Sequence, residues 1–195
     1  MWDQRYNTPE YIYGKTPNDF LVEMIDRLPK GEVLSLAEGE GRNGVYLAQQ
    51  GCRVTGVDSS AVALQKARNL AAERGVQLNT LHRNLSELEI EPAAWDAVVS
   101  IFCHLPAPLR ASLHRQVVQG LRPGGCLLLE AYTPRQLEFR TGGPPTIELM
   151  MDLKTLRQEL KGLNLEHARE VERDIREGSY HNGRSAVVQI LARKP

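Results

Sequence analysis

Val33-Leu34-Ser35-Leu36-Ala37-Glu38-Gly39-Glu40-Gly41-Arg42-Asn43-Gly44 is the stretch whose reading decides the fold. Val33 to Ala37 is a short apolar run of strand length. The next residues carry the spacing G-x-G-x-x-G, and Gly44 to Gln49 continues with helical periodicity to a stop at Gly51. Strand, glycine turn and helix in that order make a turn that holds a nucleotide-like ligand against a helix N-terminus. Arg53 to Val57 is a second strand, and Asp58 at its end stands nineteen positions beyond Gly39, where an acid holds ribose hydroxyls.

Outward from this unit, strand and helix keep alternating. Ser59 or Ser60 caps a helix carrying Leu64, Ala67 and Ala71, which Gly75 ends. Strands are expected at Gln77 to His82, Asp96 to Ile101 and Cys126 to Tyr132, with a helix from about Pro108 to Gly120 between the last two. Upstream, Thr16-Pro17-Asn18-Asp19 reads as a capping box with proline at the first helical position, leading into Phe20 to Leu28. Downstream, Gly142-Gly143-Pro144-Pro145 reads as a loop and Asp152 as the cap of a helix through Leu153, Leu156 and Leu160. Leu165 to Arg173 and Ser185 to Ala192 read as two antiparallel strands around Gly178 and Asn182-Gly183. The pattern predicts an α/β fold with a doubly wound, mostly parallel sheet covered by helices on both faces, and ligands at the carboxyl ends of the strands. One domain over residues 1–195 is expected.

Composition narrows the function. The chain has 195 residues and balances 24 Lys+Arg against 24 Asp+Glu, a formal net charge of zero. A nucleic-acid binder needs a basic surplus, so none is expected as partner. The 42% apolar and 25% charged shares are those of a soluble globular protein, and no apolar stretch is long enough to span a bilayer. The polar start is not a signal peptide, and Cys52, Cys103 and Cys126 suggest neither a zinc site nor a disulfide framework, so a reduced, cytoplasmic protein is expected. Aromatics are only 6% of the chain, yet Trp2, Tyr6, Tyr11, Tyr13 and Phe20 fall in its first twenty residues.

Charge bears on the ligand. A dinucleotide would lay a pyrophosphate on the glycine turn, where Glu38 and Glu40 oppose it unless they point away. S-adenosylmethionine, with a sulfonium and an ammonium, suits an acidic loop better. A nicotinamide- or flavin-dependent oxidoreductase stays open on spacing alone, as does a non-catalytic binding module.

The chain resembles the class I S-adenosylmethionine-dependent methyltransferases over nearly its whole length, and among them the small single-domain tellurite-resistance and thiopurine methyltransferases. The resemblance rests on VLSLAEGEGRNG, VTGVDSS, RNLSEL, WDAVVSIFCHLP and LRPGGCLLLEAY. It implies a Rossmann-like seven-stranded sheet with the last strand antiparallel, S-adenosylmethionine as donor with S-adenosylhomocysteine as product, and a small-molecule acceptor such as a thiol or a metalloid oxyanion like tellurite. A monomer or weak homodimer is expected.

Donor-side candidates are Glu38, Gly39, Glu40, Gly41, Arg42, Asn43, Asp58, Ser59, Asn84, Leu85 and Cys103. The chain departs from the family pattern at Ser35, usually acidic, at Ala37, usually glycine, and at Asn84, usually aspartate. Asn84 can still accept a hydrogen bond from the adenine amine through its amide oxygen. The thiol of Cys103 reads as packing, because adjacent strand residues point to opposite faces. His104, just past the fourth strand, is a candidate general base, and His181 a weaker one. Trp2, Tyr6, Tyr13, His104, Tyr132, Tyr180 and His181 are candidates for the acceptor side. The aromatic arm of residues 1–16 reads as a lid whose rings face the sulfonium.

Overall fold

The structure, a computed structural model, describes residues 2–195. Strand β1 (Glu32–Leu36) is buried along nearly its whole length because it is central: it pairs in parallel with β2 (Arg53–Asp58) on one side and β4 (Trp95–Ile101) on the other. Beyond β2 lies the short edge strand β3 (Asn79–His82), and beyond β4 lies β5 (Leu121–Tyr132). The long hairpin of β6 (Asn164–Glu177) and β7 (His181–Arg193) completes seven strands in the order β3-β2-β1-β4-β5-β7-β6. Strand β7 runs antiparallel to both neighbours, so β6 shares the direction of the parallel set. The turn after β6 therefore returns to the rim where β1, β2, β4 and β5 end. The order reverses between β1 and β4, which opens a crevice at that rim.

Side chains alternate across the sheet as a period of two requires. Leu34, Leu36, Val98, Leu127 and Leu129 face α5 (Ala107–Gly120) and α6 (Leu153–Glu159), meeting Leu113, Val117, Leu156 and Leu160. Val33, Ala97, Val99 and Leu128 face Phe20 and Leu21 of α2 (Asp19–Met24) and Leu47 of α3 (Arg42–Gln49). Full burial of each such aliphatic side chain stabilises the fold by roughly 1.5–3 kcal/mol. Helix α4 (Ala61–Glu73) takes its N-cap from Ser60, whose hydroxyl accepts from Ala63 N–H, and buries Leu64, Ala67, Leu70 and Ala71.

Several sequence expectations shift. The cap of α2 is Asn18, not Thr16: its Oδ1 accepts from Leu21 N–H at 3.0 Å while its amide donates into a buried carboxylate pair, which a threonine could not do. The arm contains α1 (Trp2–Tyr6), a helix that its few residues did not announce. Strand β5 begins at Leu121, because Arg122 to Gly125 bulge out of register between the pairs Trp95–Leu121 and Ala97–Cys126. Asn182-Gly183 lies within β7, and the hairpin turns at Gly178 (φ 64°). A Cβ there would sit 2.0 Å from the Ile12 carbonyl oxygen, so the arm crosses directly over the hairpin turn. Among the described residues no helix is long and apolar enough to cross a membrane.

Candidate active site

The glycine turn after β1 is left-handed at three alternate positions, Ala37 (φ 50°), Gly39 (φ 62°) and Gly41 (φ 96°). Glycine is usual at the first of these because a Cβ there costs about 1–2 kcal/mol, which Ala37 bears. A Cβ on Gly41 would meet Ala67 Cα at 2.7 Å, so this turn lies flat on α4.

Both acids of the turn are taken up by contacts within the chain. Glu38 fills a slot left by Gly44 and Gly56, where an added Cβ would come within 2.5 Å and 2.6 Å of its side chain. Its Oε1 accepts from Gly44 N–H at 2.7 Å, the third residue of α3. That is the amide an N-cap side chain serves, and the N-cap here is Gly41, which has none. Burial pushes the Glu38 carboxyl up to about 7 against the opposing bonds from Ser35 and Gly44, and its Oε2 has no partner among the described residues. Glu40 is neutralised by Lys66 at 2.6 Å and accepts from Tyr13 N–H at 3.3 Å. Glu40 is thus paired and Glu38 buried, and their charge does not separate the two kinds of donor.

Asp58 stays at the ligand side. Its Oδ2 accepts from Gly39 N–H at 2.9 Å and its Oδ1 from Ser60 N–H at 2.8 Å, beside Ser59, and burial raises its carboxyl despite these bonds. Each oxygen keeps a second lone pair for a ligand hydroxyl. Other donor-side candidates are engaged by the chain itself. Arg42 is buried in an ion pair with Glu177 at 2.7 Å, and Asn43 Oδ1 accepts from Asn18 N–H at 3.0 Å, so both side chains brace α3. Asn84 Oδ1 already accepts from Ser86 N–H and Oγ at 3.0 Å and 2.9 Å, which occupies both lone pairs intended for adenine. Leu85 and Cys103 belong to the apolar core, and burial pushes the Cys103 thiol up to about 12.

The arm lies over this turn. Tyr6 is buried, and its hydroxyl oxygen is 3.1 Å from where a Cβ of Gly39 would stand; burial, then the charge of Asp58, raises its pKa. Asp3 accepts from Ser60 Oγ at 2.6 Å, Lys66 donates to the carbonyls of Tyr6 and Glu10 at 3.2 Å and 2.6 Å, and Ser179 N–H donates to the Ile12 carbonyl at 2.9 Å. The arm thus ties α4 to the β6–β7 turn. Trp2 stacks outside Tyr6 (5.8 Å) and is exposed, as is Tyr180, so neither forms an inner wall.

Across from the turn stands an aromatic cluster at the ends of β4, β5 and β7. Phe102, left-handed at φ 52°, stacks on Tyr132 at 4.6 Å and meets His181 edge-on at 4.8 Å. Tyr13 lies 4.7 Å from His181 and joins the cluster to the arm. His104 Nδ1 is 2.9 Å from the Leu149 carbonyl, which requires its proton there, and Tyr132 N–H faces its Nε2 at 3.4 Å. Burial pushes its pKa down to about 4. With both nitrogens engaged by backbone, His104 holds the cluster together and is not placed to take a proton. Tyr132 Oη and His181 Nδ1 are buried without a hydrogen-bond partner among the described residues.

Behind the cluster is a network that sequence reasoning missed. Asn18 Nδ2 donates to Glu130 at 2.6 Å and to Glu177 at 2.8 Å, Arg173 grips both oxygens of Glu130 at 2.9 Å and 2.8 Å, and Gln189 adds a fourth bond to it. Two signals pointed to it. Glu130 interrupts the apolar run Leu127 to Tyr132, where a carboxylate must have partners. Arg173, Ile175 and Glu177 share one face of β6 at a period of two, with Ile175 fully buried.

Residues 33–125 match the family model described as a methyltransferase domain. The tRNA (uracil(54)-C(5))-methyltransferase of Pyrococcus furiosus is 32% identical over 106 residues, 54% of this chain and 24% of that protein. The ubiquinone biosynthesis O-methyltransferase of Sodalis glossinidius is 34% identical over 110 residues, 55% of this chain and 43% of its own length. The matched region thus spans less than half of either relative. Among solved structures, TehB from Haemophilus influenzae superposes with a TM-score of 0.76 at 19% identity, covering 100% of this chain and 66% of that one. Residues 33–125 thus carry the match to a methyltransferase domain, and the seven-stranded sheet has the same fold as the superposed structure.

Proposed function

We propose that the protein transfers the methyl group of S-adenosylmethionine to a small-molecule acceptor, as a single domain whose aromatic arm serves as a lid. The observation that carries this reading is the pairing of two half-sites on one rim: the glycine turn with Asp58, and the aromatic cluster of Tyr13, Phe102, Tyr132 and His181 facing it. The residues present fit the donor. The backbone of Gly39 and Gly41 would take its amino-acid end, and Asp58, with a lone pair free on each oxygen, would take its ribose hydroxyls. The bound donor supplies a methyl group on a cationic sulfur that leaves as a neutral thioether. What the chain contributes is mainly alignment and exclusion of water. Tyr6 and Tyr13 offer ring faces to a sulfonium, worth about 0.5–2 kcal/mol.

A small acceptor is favoured by the way arm and hairpin turn close on each other over the rim, and by the zero net charge. The buried cations nearby are already matched, Lys66 by Glu40, Arg42 by Glu177 and Arg173 by Glu130. Within the class, membership of the tellurite-resistance and thiopurine group is part of this reading, with a thiol or a metalloid oxyanion as acceptor. The test is transfer of labelled methyl from S-adenosylmethionine to a panel of thiols, phenols, tellurite and selenite. Labelled product from any of them supports the proposal. Full donor-product binding with no product from any of them favours a binding module instead.

A further inference from the structure

His181 differs from His104 in what its nitrogens meet. Its Nδ1 is buried, has no hydrogen-bond partner among the described residues, and faces Glu177 Oε2 at 3.8 Å. The rings around it, Tyr13 at 4.7 Å, Phe102 at 4.8 Å and Tyr132 at 5.3 Å, hold the imidazole by its faces and edges and give Nδ1 nothing to bond. Glu177 is itself fixed: Oε2 accepts from Arg42 at 2.7 Å, Oε1 from Asn18 Nδ2 at 2.8 Å, and Arg173 stands 3.5 Å away. Burial works against its charge, yet Arg42 and His181 hold its carboxyl at about 2, so Glu177 is an anion throughout the physiological range. His181 comes just after the hairpin turn, on the rim that carries the ends of β4 and β5.

We infer that Glu177 and His181 work as a pair, in which the carboxylate orients the imidazole through Nδ1 and leaves Nε2 to receive the proton an acceptor loses during transfer. The inference rests on the methyl-transfer reading and adds to it the residue that handles the proton. An anion beside Nδ1 favours the tautomer with hydrogen on that nitrogen, which puts the lone pair on Nε2. The separation of 3.8 Å is longer than a hydrogen bond, as acid–base pairs in ligand-free sites often are before closure tightens them. In the step itself, the lone pair of an acceptor hydroxyl or amine attacks the methyl carbon as the carbon–sulfur bond breaks. The bonding pair stays on sulfur, giving a neutral thioether, and the acceptor's proton passes to Nε2, giving an imidazolium that later returns it to water. An acceptor already ionised, such as a thiolate, bypasses the pair. Glu177 acts only through His181 and is a positioning residue.

The charged and titratable groups facing His181 are Glu177, which raises its proton affinity, and Arg42 and Arg5, which with burial lower it; Tyr13, Tyr132 and His104 complete its surroundings. The experiment is ring-nitrogen NMR of protein labelled at histidine and saturated with S-adenosylhomocysteine, the His181 resonances being identified by their loss in His181→Gln. The wild type should show hydrogen on Nδ1 and an unprotonated Nε2. Glu177→Gln removes the anion and leaves Arg42 unmatched, so the protonation constant of His181 should fall by about tenfold or more. Glu177→Asp should restore most of it, a rescue that a purely structural role would not give. Hydrogen on Nε2 in the wild type overturns the inference whether or not the variants fold, and so does a titration indifferent to Glu177→Gln. Failure to bind S-adenosylhomocysteine would instead refute the methyl-transfer reading, and it is read separately by calorimetry on the same sample.

Discussion

Glu38→Gln is the substitution whose effect can be worked furthest from the geometry. The carboxyl lies in a slot between Gly44 and Gly56, with Oε1 on the Gly44 amide and Oε2 unpartnered, and burial moves it from an ordinary 4.5 up to about 7. Because the folded carboxyl is the weaker acid, folding takes up a proton between these two values. The stability this group contributes is therefore fully present below pH 4.5 and is lost as pH rises through about 7. The interval is worth about 3 kcal/mol. Glutamine has nearly the same shape, its amide oxygen can keep the bond to Gly44 N–H, and it carries no charge to desolvate. In urea unfolding measured across a pH series, wild type and variant should be close in stability near pH 4.5. They should diverge above it until the variant is the more stable by about 3 kcal/mol near pH 8. Parallel stability curves for the two proteins would refute the buried, ionising Glu38 and with it the account of how this turn is capped.

Gly41→Ala should lower the melting temperature and weaken binding of S-adenosylhomocysteine, since φ 96° is left-handed and the new Cβ would press on Ala67 Cα at 2.7 Å. The left-handed strain alone costs about 1–2 kcal/mol. Removing residues 2–13 should weaken affinity for S-adenosylmethionine itself, which carries the sulfonium, by roughly 2- to 30-fold, the range of the cation–π attraction. The far-ultraviolet spectrum of the sheet should stay unchanged, and undiminished affinity by calorimetry would retire the lid. Arg42→Met leaves Glu177 buried and short of its main cation, a loss of about 3–5 kcal/mol in chemical denaturation. Adding Glu177→Gln to that variant should recover part of the loss.

The sheet was legible because its signals are local and repeated. Val33 to Leu36, Val98 to Ile101 and Leu127 to Leu129 are apolar runs too short for helices, and the glycine turn after the first of them commits the chain to a helix at Gly44. His181 stands at the rim where β4 and β5 end because β6 runs with the parallel set, a position that follows from strand direction alone. Orientation was not legible. Glu38 and Glu40 read as ligand-facing because sequence spacing does not show that Gly44 and Gly56 leave a slot for one and that Lys66 waits for the other. Arg42, Asn43 and Asn84 are residue types that serve a ligand or the chain equally well, and here the chain takes them. Charges of both signs are mixed between Arg169 and Arg184, a pattern that by itself gives no local sign of burial. The burial of Glu177 and His181 depends on packing across more than a hundred residues of sequence, from Asn18 and Arg42.

The central claim is that the glycine turn and Asp58 hold S-adenosylmethionine. Calorimetric titration of ligand-free protein with S-adenosylhomocysteine, beside an identical titration with NADH, tests it most directly. The account predicts saturable one-to-one binding of S-adenosylhomocysteine that Asp58→Ala weakens strongly, and none of NADH. A folded protein that binds NADH and ignores S-adenosylhomocysteine would contradict it.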